Sequence, residues 1–589
     1  EPPVFKASPA RPPIKDAMTV NVAADRNVAV GLGALQQMTS ATTADTYNTA
    51  MGYYAGNQVT SGTHNTLIGG LAGDALNTGG SNTVVGYNAL TSSTVGSNNV
   101  AIGRQALESN ILTDRNVAIG LGALQQFVGD GSTANQHGYN TGIGYAVGKQ
   151  MTTGTNNTLV GGLAGNALTT GVSNVLIGKD AGDSLTTGSR NVAIGTDALQ
   201  SEDGHGRNVA IGHQALFTQN AGADAHNVAV GYDAGVLVTT GIQNTLIGAH
   251  AGDALTTGAE NVAVGAYALS TEDAHGANTA VGNAALMTLD AGANAYNVAV
   301  GYDAGKLMTT AINSTIVGGL AGDALTTGSD NTLIGTRAGG ALTTGSGNVA
   351  VGQQALNTED EHGRNVAVGY RSLLNLNAGA EGYNTAVGYH SGKDMTTGQG
   401  NTYLGAEAGQ YATTGDDNVG IGYKALRGIT TGGKNIAIGE MALTNEDTGA
   451  NNVAIGYQAL RHQNYDGSAY NVAVGVKAGT QVTEGTHNTL VGAFAGDALT
   501  TGQYNVALGY NALSSEDGHG KNIAIGVNAL MTQDAGVDAY NTAIGHNVGH
   551  NITTGIENTL IGGLAGDALT TGIENTAIGY QALSAAQTS

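Results

Sequence analysis

The sequence contains no cysteine and no tryptophan, and it has only four phenylalanines. Without cysteine the chain can form neither a disulfide bond nor a cysteine-ligated metal site. With so few large aromatic side chains, any core must rely on aliphatic residues and buries only a modest apolar area per residue. A single large globular core is therefore not expected.

Charge and long apolar runs are also scarce. Charged residues make up 11% of the chain and the net charge is −23, which argues against a nucleic-acid partner because its phosphates would be repelled. The sequence has no run of about 18 apolar residues, so we predict no insertion into a membrane. The absence of cysteine is compatible with an extracellular location.

Proline is confined to one end of the sequence, because all five prolines lie between Pro2 and Pro13. Proline fixes φ and donates no backbone hydrogen bond, so this stretch should be extended and cannot join a β-ladder. We predict that residues 1–20 form an extended leader or docking arm. A disordered terminus is the alternative interpretation.

A short frame fills the rest of the chain. Asn, an apolar residue or Thr, any residue, an apolar residue and Gly follow one another in 32 copies between Asn27 and Asn575. The Gly is present in every copy, and the Asn is replaced once, by Ser314. Most copies follow one another at a 17-residue spacing, as at Asn227, Asn244 and Asn261. A fixed short period predicts an array of stacked supersecondary units.

Within one unit, with the Asn as position zero, the alternation predicts a strand of about four residues. Positions one and three, such as Val262 and Val264, are predicted to supply the core together with Leu269. Position seven is Ala in 28 copies, which predicts close approach of another backbone. The second half of the unit, such as residues 251–255, fits either a second short strand or a helical turn. Many units close with Thr-Thr-Gly, which predicts a turn.

We therefore predict an all-β fold for residues 21–589: a parallel β-solenoid or β-roll of about 32 coils with a 17-residue repeat, assembled as an elongated fibre. The repeated Asn should accept left-handed backbone and bond to the backbone or to the Asn of the next coil. Ala, Gly and Thr at recurring positions should form a flat outer face. Packing of that face against partner chains predicts a parallel homotrimer.

A longer period lies on the short one. Every fourth or fifth unit is longer, usually by two residues, and its extra residues precede the next Asn, so they should bulge at one corner. The preceding unit has a Glu-Asp-x-His corner in four places, at residues 202–205, 272–275, 359–362 and 516–519. A fifth corner, residues 446–449, lacks the His.

These corners are the only candidates for metal chemistry. Glu202, Asp203 and His205 could meet Asp224 or His226 of the next coil and ligate a divalent cation. Histidine does not suit calcium, however, and one corner lacks it. The favoured interpretation is solvated turn residues, so we predict no catalytic, cofactor-binding or metal residues and no cofactor.

Two further functions need to be considered. Carboxylate pairs could cleave polysaccharide, but such sites usually need a cleft built by irregular insertions, and the longer units generally add only two residues. Tyrosines after the repeat glycine, namely Tyr232, Tyr302, Tyr389 and Tyr457, could stack on sugar rings. Packing against neighbouring coils is the favoured interpretation. We therefore expect that the chain is not an enzyme.

The frames Asn-Thr-Ala-Ile-Gly-Tyr-Gln-Ala-Leu at 575–583 and Asn-Val-Ala-Ile-Gly-Tyr-Gln-Ala-Leu at 452–460 resemble repeats in fibre proteins of bacterial viruses. They are also similar to the β-roll heads of trimeric autotransporter adhesins. The resemblance covers residues 21–589. The viral fibres often carry an endosialidase-type intramolecular chaperone that cuts itself off after a Ser. The resemblance implies such a cut after Ser589; the alternative is that the sequence simply ends there.

The resemblance implies a homotrimeric structural fibre on the virion surface that could also contribute to host-surface attachment. Its leader would dock on a virion or surface protein, and a host glycan or protein is a possible ligand. The first alternative is a trimeric adhesin on a bacterial cell surface. The second is a polysaccharide-cleaving fibre.

Overall fold

The structure is a computed structural model that describes residues 26–39, 45–131 and 136–585. The chain divides into two compact units, Glu1–Ala295 and Tyr296–Ser589. The predicted leader over residues 1–20, the predicted start of the array near Asn21 and the predicted cleavage point at Ser589 lie outside the described residues.

The first unit is built from short parallel strands. Fifteen of its strands have three residues and belong to one parallel sheet, and β6 and β8 form a separate two-residue pair. The strands are β1 (Val28–Val30), β2 (Thr49–Met51), β3 (Thr66–Ile68), β4 (Thr83–Val85), β5 (Val100–Ile102), β6 (Thr113–Asp114), β7 (Val117–Ile119), β8 (Gln136–His137), β9 (Thr141–Ile143), β10 (Thr158–Val160), β11 (Val175–Ile177), β12 (Val192–Ile194), β13 (Val209–Ile211), β14 (Val228–Val230), β15 (Thr245–Ile247), β16 (Val262–Val264) and β17 (Thr279–Val281).

The second unit repeats this design with seventeen three-residue strands in parallel order. They are β18 (Val298–Val300), β19 (Thr315–Val317), β20 (Thr332–Ile334), β21 (Val349–Val351), β22 (Val366–Val368), β23 (Thr385–Val387), β24 (Thr402–Leu404), β25 (Val419–Ile421), β26 (Ile436–Ile438), β27 (Val453–Ile455), β28 (Val472–Val474), β29 (Thr489–Val491), β30 (Val506–Leu508), β31 (Ile523–Ile525), β32 (Thr542–Ile544), β33 (Thr559–Ile561) and β34 (Thr576–Ile578). The residues that the structure describes contain no helix.

Each coil of the repeat contributes one strand, and consecutive coils pair in register. In the first unit Ala193 of β12 lies beside Ala210 of β13, the same position one repeat later. Where a coil is longer, the register is kept: Val209 pairs with Val228 although the coil between them has two extra residues. The extra residues therefore leave the ladder at a corner, as predicted. The all-β parallel solenoid with a 17-residue repeat is confirmed within each unit.

The side of the strands that faces the core is opposite to the predicted one. Position two of every three-residue strand from β2 to β34 is buried, as at Ala263, whereas Val262 and Val264 at positions one and three lie on the outer face. The core is completed by position seven, as at Ala251, and by leucines such as Leu255 and Leu269, all of which are fully buried. The prediction of Val262 and Val264 as core residues was wrong, while that of Leu269 is confirmed.

The small residues also lie elsewhere than predicted. Alanine at position seven, including Ala251 and Ala408, lies inside the coil and not on an outer face. The interior of a 17-residue coil is narrow, so it holds two large side chains, such as Leu246 and Leu255, only if position seven stays small. Alanine at position seven is therefore not part of the predicted outer face of Ala, Gly and Thr, whereas threonine at position one lies on the outer face, as at Thr245.

Apart from β6 and β8, the second half of each described coil is neither a strand nor a helical turn but a run of tight turns. Its backbone groups bond to the neighbouring coils; for example, Gly235 N–H donates to the Ala251 carbonyl at 3.0 Å. This pattern satisfies the backbone without regular secondary structure, because a closed coil can pass its hydrogen bonds up and down the stack.

The repeated Asn closes its own coil and links it to the next. Asn261 Nδ2 donates to the His275 carbonyl at 3.1 Å, across the coil, and Asn261 Oδ1 accepts from Asn278 N–H at 3.1 Å. These bonds confirm the predicted contacts with the backbone and the adjacent Asn. The left-handed backbone falls instead on the residue before the Asn, as at Glu260 with φ of 60°.

Replacing Asn261 by alanine should destabilise the coils around it by about 1–3 kcal/mol, because two backbone groups lose their hydrogen-bond partner. These groups are the His275 carbonyl and the Asn278 N–H. Protection from hydrogen exchange over residues 244–280 measures the effect. Asn220→Ala, at an exposed position, is the matched control. Equal protection in both variants would contradict a closing role for the Asn.

Candidate functional site

Five corners of the solenoid carry an acidic residue in the interior. Glu202, Glu272, Glu359, Glu446 and Glu516 each lie eleven residues after the strand Asn of their coil. In ordinary coils that position holds a core side chain such as Leu255 or Val238. We call these five segments, residues 202–205, 272–275, 359–362, 446–449 and 516–519, the carboxylate corners.

All five glutamates are fully buried. The favoured expectation of solvated turn residues was therefore wrong for Glu202, although Asp203 beside it is exposed and His205 is half-buried. The cause is the coil geometry, because the position that normally points a leucine into the core now points a carboxyl group there. A buried carboxylate is costly unless it finds partners.

Backbone N–H groups supply some of the hydrogen bonds that these buried carboxylates require. The N–H of the residue three places on donates to the Oε1 atom of each glutamate, at 3.0 Å from His205 and 2.7 Å from Gly449. At two corners the longer coil that follows donates to Oε2, from Ala291 at 3.4 Å and from Ala378 at 3.2 Å. At these two corners the buried carboxylate is therefore bonded both within its own coil and to the longer coil that follows.

These hydrogen bonds do not fully offset the burial, and the pKa values of the five glutamates are raised as a result. Burial raises the pKa of Glu202, Glu272 and Glu359 above the ordinary glutamate value, in spite of the N–H donors. Burial raises the pKa of Glu446 and of Glu516 to about 7. Burial therefore disfavours the ionised form of the carboxyl group at all five corners.

Four of the corners place a histidine beside the buried carboxylate. The Nδ1 atom lies 3.7 Å from Glu202 Oε1 in His205, 3.4 Å from Glu272 in His275, 3.7 Å from Glu359 in His362 and 3.8 Å from Glu516 in His519. The aspartate between each pair completes a group of ligand atoms within 4.8 Å of one another, and Asp290 joins the Glu272 group.

The next-coil residues considered from the sequence lie close by but have other partners. Asp224 Oδ1 accepts from Gly206 N–H at 3.0 Å, and its Oδ2 lies 3.2 Å from Arg207 Nη1. His226 Nε2 lies 3.3 Å from the same guanidinium nitrogen. The structure therefore brings Glu202, Asp203 and His205 together, and it places Asp224 and His226 in an exposed contact with Arg207.

The tyrosines after the repeat glycine stay largely exposed. Tyr232 is 52% exposed, stacks on His213 with ring centroids 5.2 Å apart and meets the edge of His250. Tyr389 stacks on Tyr370 at 5.6 Å. Packing between coils, the favoured interpretation, is confirmed for these two. Tyr302 is 60% exposed and Tyr457 is 41% exposed.

The outer strand face is a second candidate surface. Position three is apolar in every copy of the repeat and position one is Val, Ile or Thr, so neither position carries a charge. Their side chains are partly or largely exposed, as at Ile247, Val300 and Ile436, which are 37–38% exposed. Within each unit these residues form columns along the sheet. We call them the outer aliphatic columns.

Comparison with known proteins gives no family. No protein-family model matches the chain, and no curated protein is significantly similar to it. Within the part of the chain that the structure describes, no helix is long and apolar enough to cross a membrane.

Proposed function

We propose that the chain is a non-enzymatic structural fibre protein that assembles as a parallel homotrimer on a virion surface and could contribute to host-surface attachment. The observation that carries this proposal is the outer aliphatic columns. A virion origin, and docking through the leader over residues 1–20, rest on the resemblance of the repeats to viral fibres.

The columns support a protein partner because of their length. Positions one and three are about 7 Å apart and successive strands about 4.8 Å apart, so each unit presents an uncharged strip on the order of 500 Å². Position three is apolar throughout, and position one is Val, Ile or Thr. The largest apolar patch on an ordinary monomer has about this size and is often functional. Exposed valines scattered singly need no partner, so it is their alignment in continuous columns that supports one.

A copy of the same chain is the partner that fits best. An identical repeat presents the same rung spacing over the same length, so every rung can be matched without a change of register. Three copies placed around one axis bury the columns of all of them in a closed arrangement. A partner of different periodicity would match only a few rungs.

Two alternative functions can be separated from this proposal by experiment. A trimeric adhesin on a bacterial cell surface would use the same columns, and neighbouring genes for virion structure or for secretion machinery separate the two. A polysaccharide-cleaving fibre would use the exposed tyrosines with the carboxylates. Release of oligosaccharides from capsular or surface glycans by the purified chain would support that alternative.

Sedimentation equilibrium of the full chain should give a mass three times the 58.6 kDa of one copy. A Val230→Lys, Ile247→Lys, Val264→Lys variant places three charges in one outer column and should shift the equilibrium toward monomer. The matched control places lysines at Thr240, Gln243 and Thr257, which are exposed away from the strands. A folded monomer of the parent chain at micromolar concentration would end the proposal.

A further inference from the structure

The four histidine-containing carboxylate corners combine hard and borderline ligand atoms in one small volume. Each offers a carboxylate oxygen of a buried Glu, an imidazole nitrogen and a carboxylate oxygen of the intervening Asp, all within 4.8 Å. An acidic cluster alone would say little, because exposed carboxylates commonly gather in turns. The histidine and the burial of the glutamate distinguish these corners.

Unpaired atoms point to a missing partner. Within the described residues, the Nδ1 atoms of His205, His275, His362 and His519 are buried and have no hydrogen-bond partner. At two of these corners the Oε2 atoms of the fully buried Glu202 and Glu516 are also unpaired. Buried polar atoms without partners are rare, because each one loses its hydrogen bonds to water and gains none in return.

The spacing of the facing atoms suits an ion. Their 3.4–3.8 Å separation is longer than a hydrogen bond to imidazole, which is about 2.7–3.2 Å. Two ligands bonded to one tetrahedral zinc at about 2.0–2.1 Å lie about 3.3 Å apart. A small adjustment of the histidine side chain would therefore allow both atoms to bind the same cation.

We propose that residues 202–205, 272–275, 359–362 and 516–519 each bind one divalent cation of the zinc class, through a Glu carboxylate oxygen, His Nδ1 and an Asp carboxylate oxygen. Glu Oε1 keeps the backbone N–H bond, since a carboxylate oxygen has two lone pairs. The histidine side chains are 26–35% exposed, so water can complete the coordination.

The choice of cation follows from the donors. Calcium and magnesium prefer all-oxygen sites, whereas imidazole with carboxylate suits zinc and its neighbours cobalt and nickel. In the longer coil that follows, Asp290 adds a fourth protein ligand at the Glu272 corner. That corner should therefore bind zinc more tightly than the other three.

The fifth corner supplies an internal control. Glu446 is fully buried and its Oε2 atom is unpaired, but Thr448 and Gly449 stand where other corners have their last two residues, so no imidazole is present. If buried carboxylates alone attracted cations, this corner would bind as well, and the chain would take five ions instead of four.

Zinc titration of the full chain by calorimetry, after treatment with chelator, should give about four sites per chain, with little heat from calcium. Changing His205, His275, His362 and His519 together to alanine should abolish them. The matched control changes His64, His226, His487 and His546, which are exposed, and should keep all four. Loss of sites in the control only, or retention of the sites in the first variant, would overturn the proposal.

A measurement on the unaltered chain covers the case in which the fourfold variant fails to fold. X-ray absorption at the zinc edge should show about one imidazole per zinc together with oxygen ligands. A shell of oxygen alone, or calcium binding equal to zinc binding, would mean that zinc is held by the acidic surface and would overturn the proposal. His275→Ala alone should remove one site, the tightest of the four.

Discussion

Replacing Gly161 by alanine should disrupt the coils around it, whereas the same change at the adjacent Gly162 should leave stability unchanged. Gly161 is the invariant repeat glycine, and its φ of +134° is one that side chains rarely adopt. A Cβ built there would lie 2.3 Å from the Gly178 carbonyl oxygen of the next coil. Both obstacles are backbone, so no side-chain movement relieves them.

The expected cost at Gly161 is about 4 kcal/mol or more, because backbone strain adds to a clash that must push two coils apart. At Gly162 a Cβ meets nothing within 4 Å and φ is outside the strained range, so the cost should stay within about 0.5 kcal/mol. Hydrogen exchange over residues 158–195 compares the two variants. Similar protection in both would show that coil spacing does not depend on the repeat glycine.

The same contact explains why the fold was predictable from sequence. A glycine forced by a neighbouring coil must recur once per coil, so the period of Gly161, Gly178 and Gly195 is the period of the stack. The Asn bonds repeat for the same reason. Parallel order, register and corner bulges all follow from that period without any knowledge of side-chain packing.

The repeat period does not predict which side of each strand faces the core. Alternation places positions one and three on one side and position two on the other, but it does not say which side is interior. Hydrophobicity favoured Val262 and Val264 over Ala263, and the choice was wrong because the coil interior is too narrow to hold both valines together with Leu269. Because the interior is narrow, the apolar side chains at positions one and three lie on the outer face.

The burial of the corner glutamates could have been predicted from the sequence. Glu202 stands eleven residues after Asn191, the same offset at which Leu255 follows Asn244. Applying the repeat offset to Glu202 would have predicted a buried carboxylate instead of a solvated turn. What the sequence could not supply is the separation of the glutamate and histidine atoms, which depends on how each turn closes.

Glu446 should make its coil less stable at high pH than at low pH. The residue is fully buried, Gly449 N–H donates to its Oε1 atom at 2.7 Å, and the neighbouring Asp447 adds a like charge. Burial raises the pKa of Glu446 to about 7, whereas an unfolded glutamate titrates near about 4.3. The folded state therefore binds the proton more tightly than the unfolded state.

The sign follows from that difference. Below about pH 4 the carboxyl group is neutral in both states and carries no penalty. As the pH rises from about 4.3 to about 7, the unfolded chain ionises first, so stability is lost progressively across this window. Above it the penalty is constant, on the order of 3–4 kcal/mol for the shift involved.

Glu446→Gln removes the ionisation and keeps an oxygen that can accept the Gly449 N–H. Glutamine is already accommodated at the same offset, since Gln463 is buried and its Oε1 atom accepts from Asn471 at 2.7 Å. The variant should therefore be more stable than the parent at pH 8.5, by on the order of 3–4 kcal/mol, and the two should differ little at pH 4.

Hydrogen exchange over residues 435–470, with chelator present, measures this difference because a repeat array opens locally. Glu440→Gln, at an exposed position in the same coil, should show no pH-dependent difference. A gain for Glu446→Gln of the same size at both pH values would mean that the carboxylate is not desolvated. A loss at pH 8.5 would mean that the ionised group is paired, and the buried carboxyl would then be a stabilising contact.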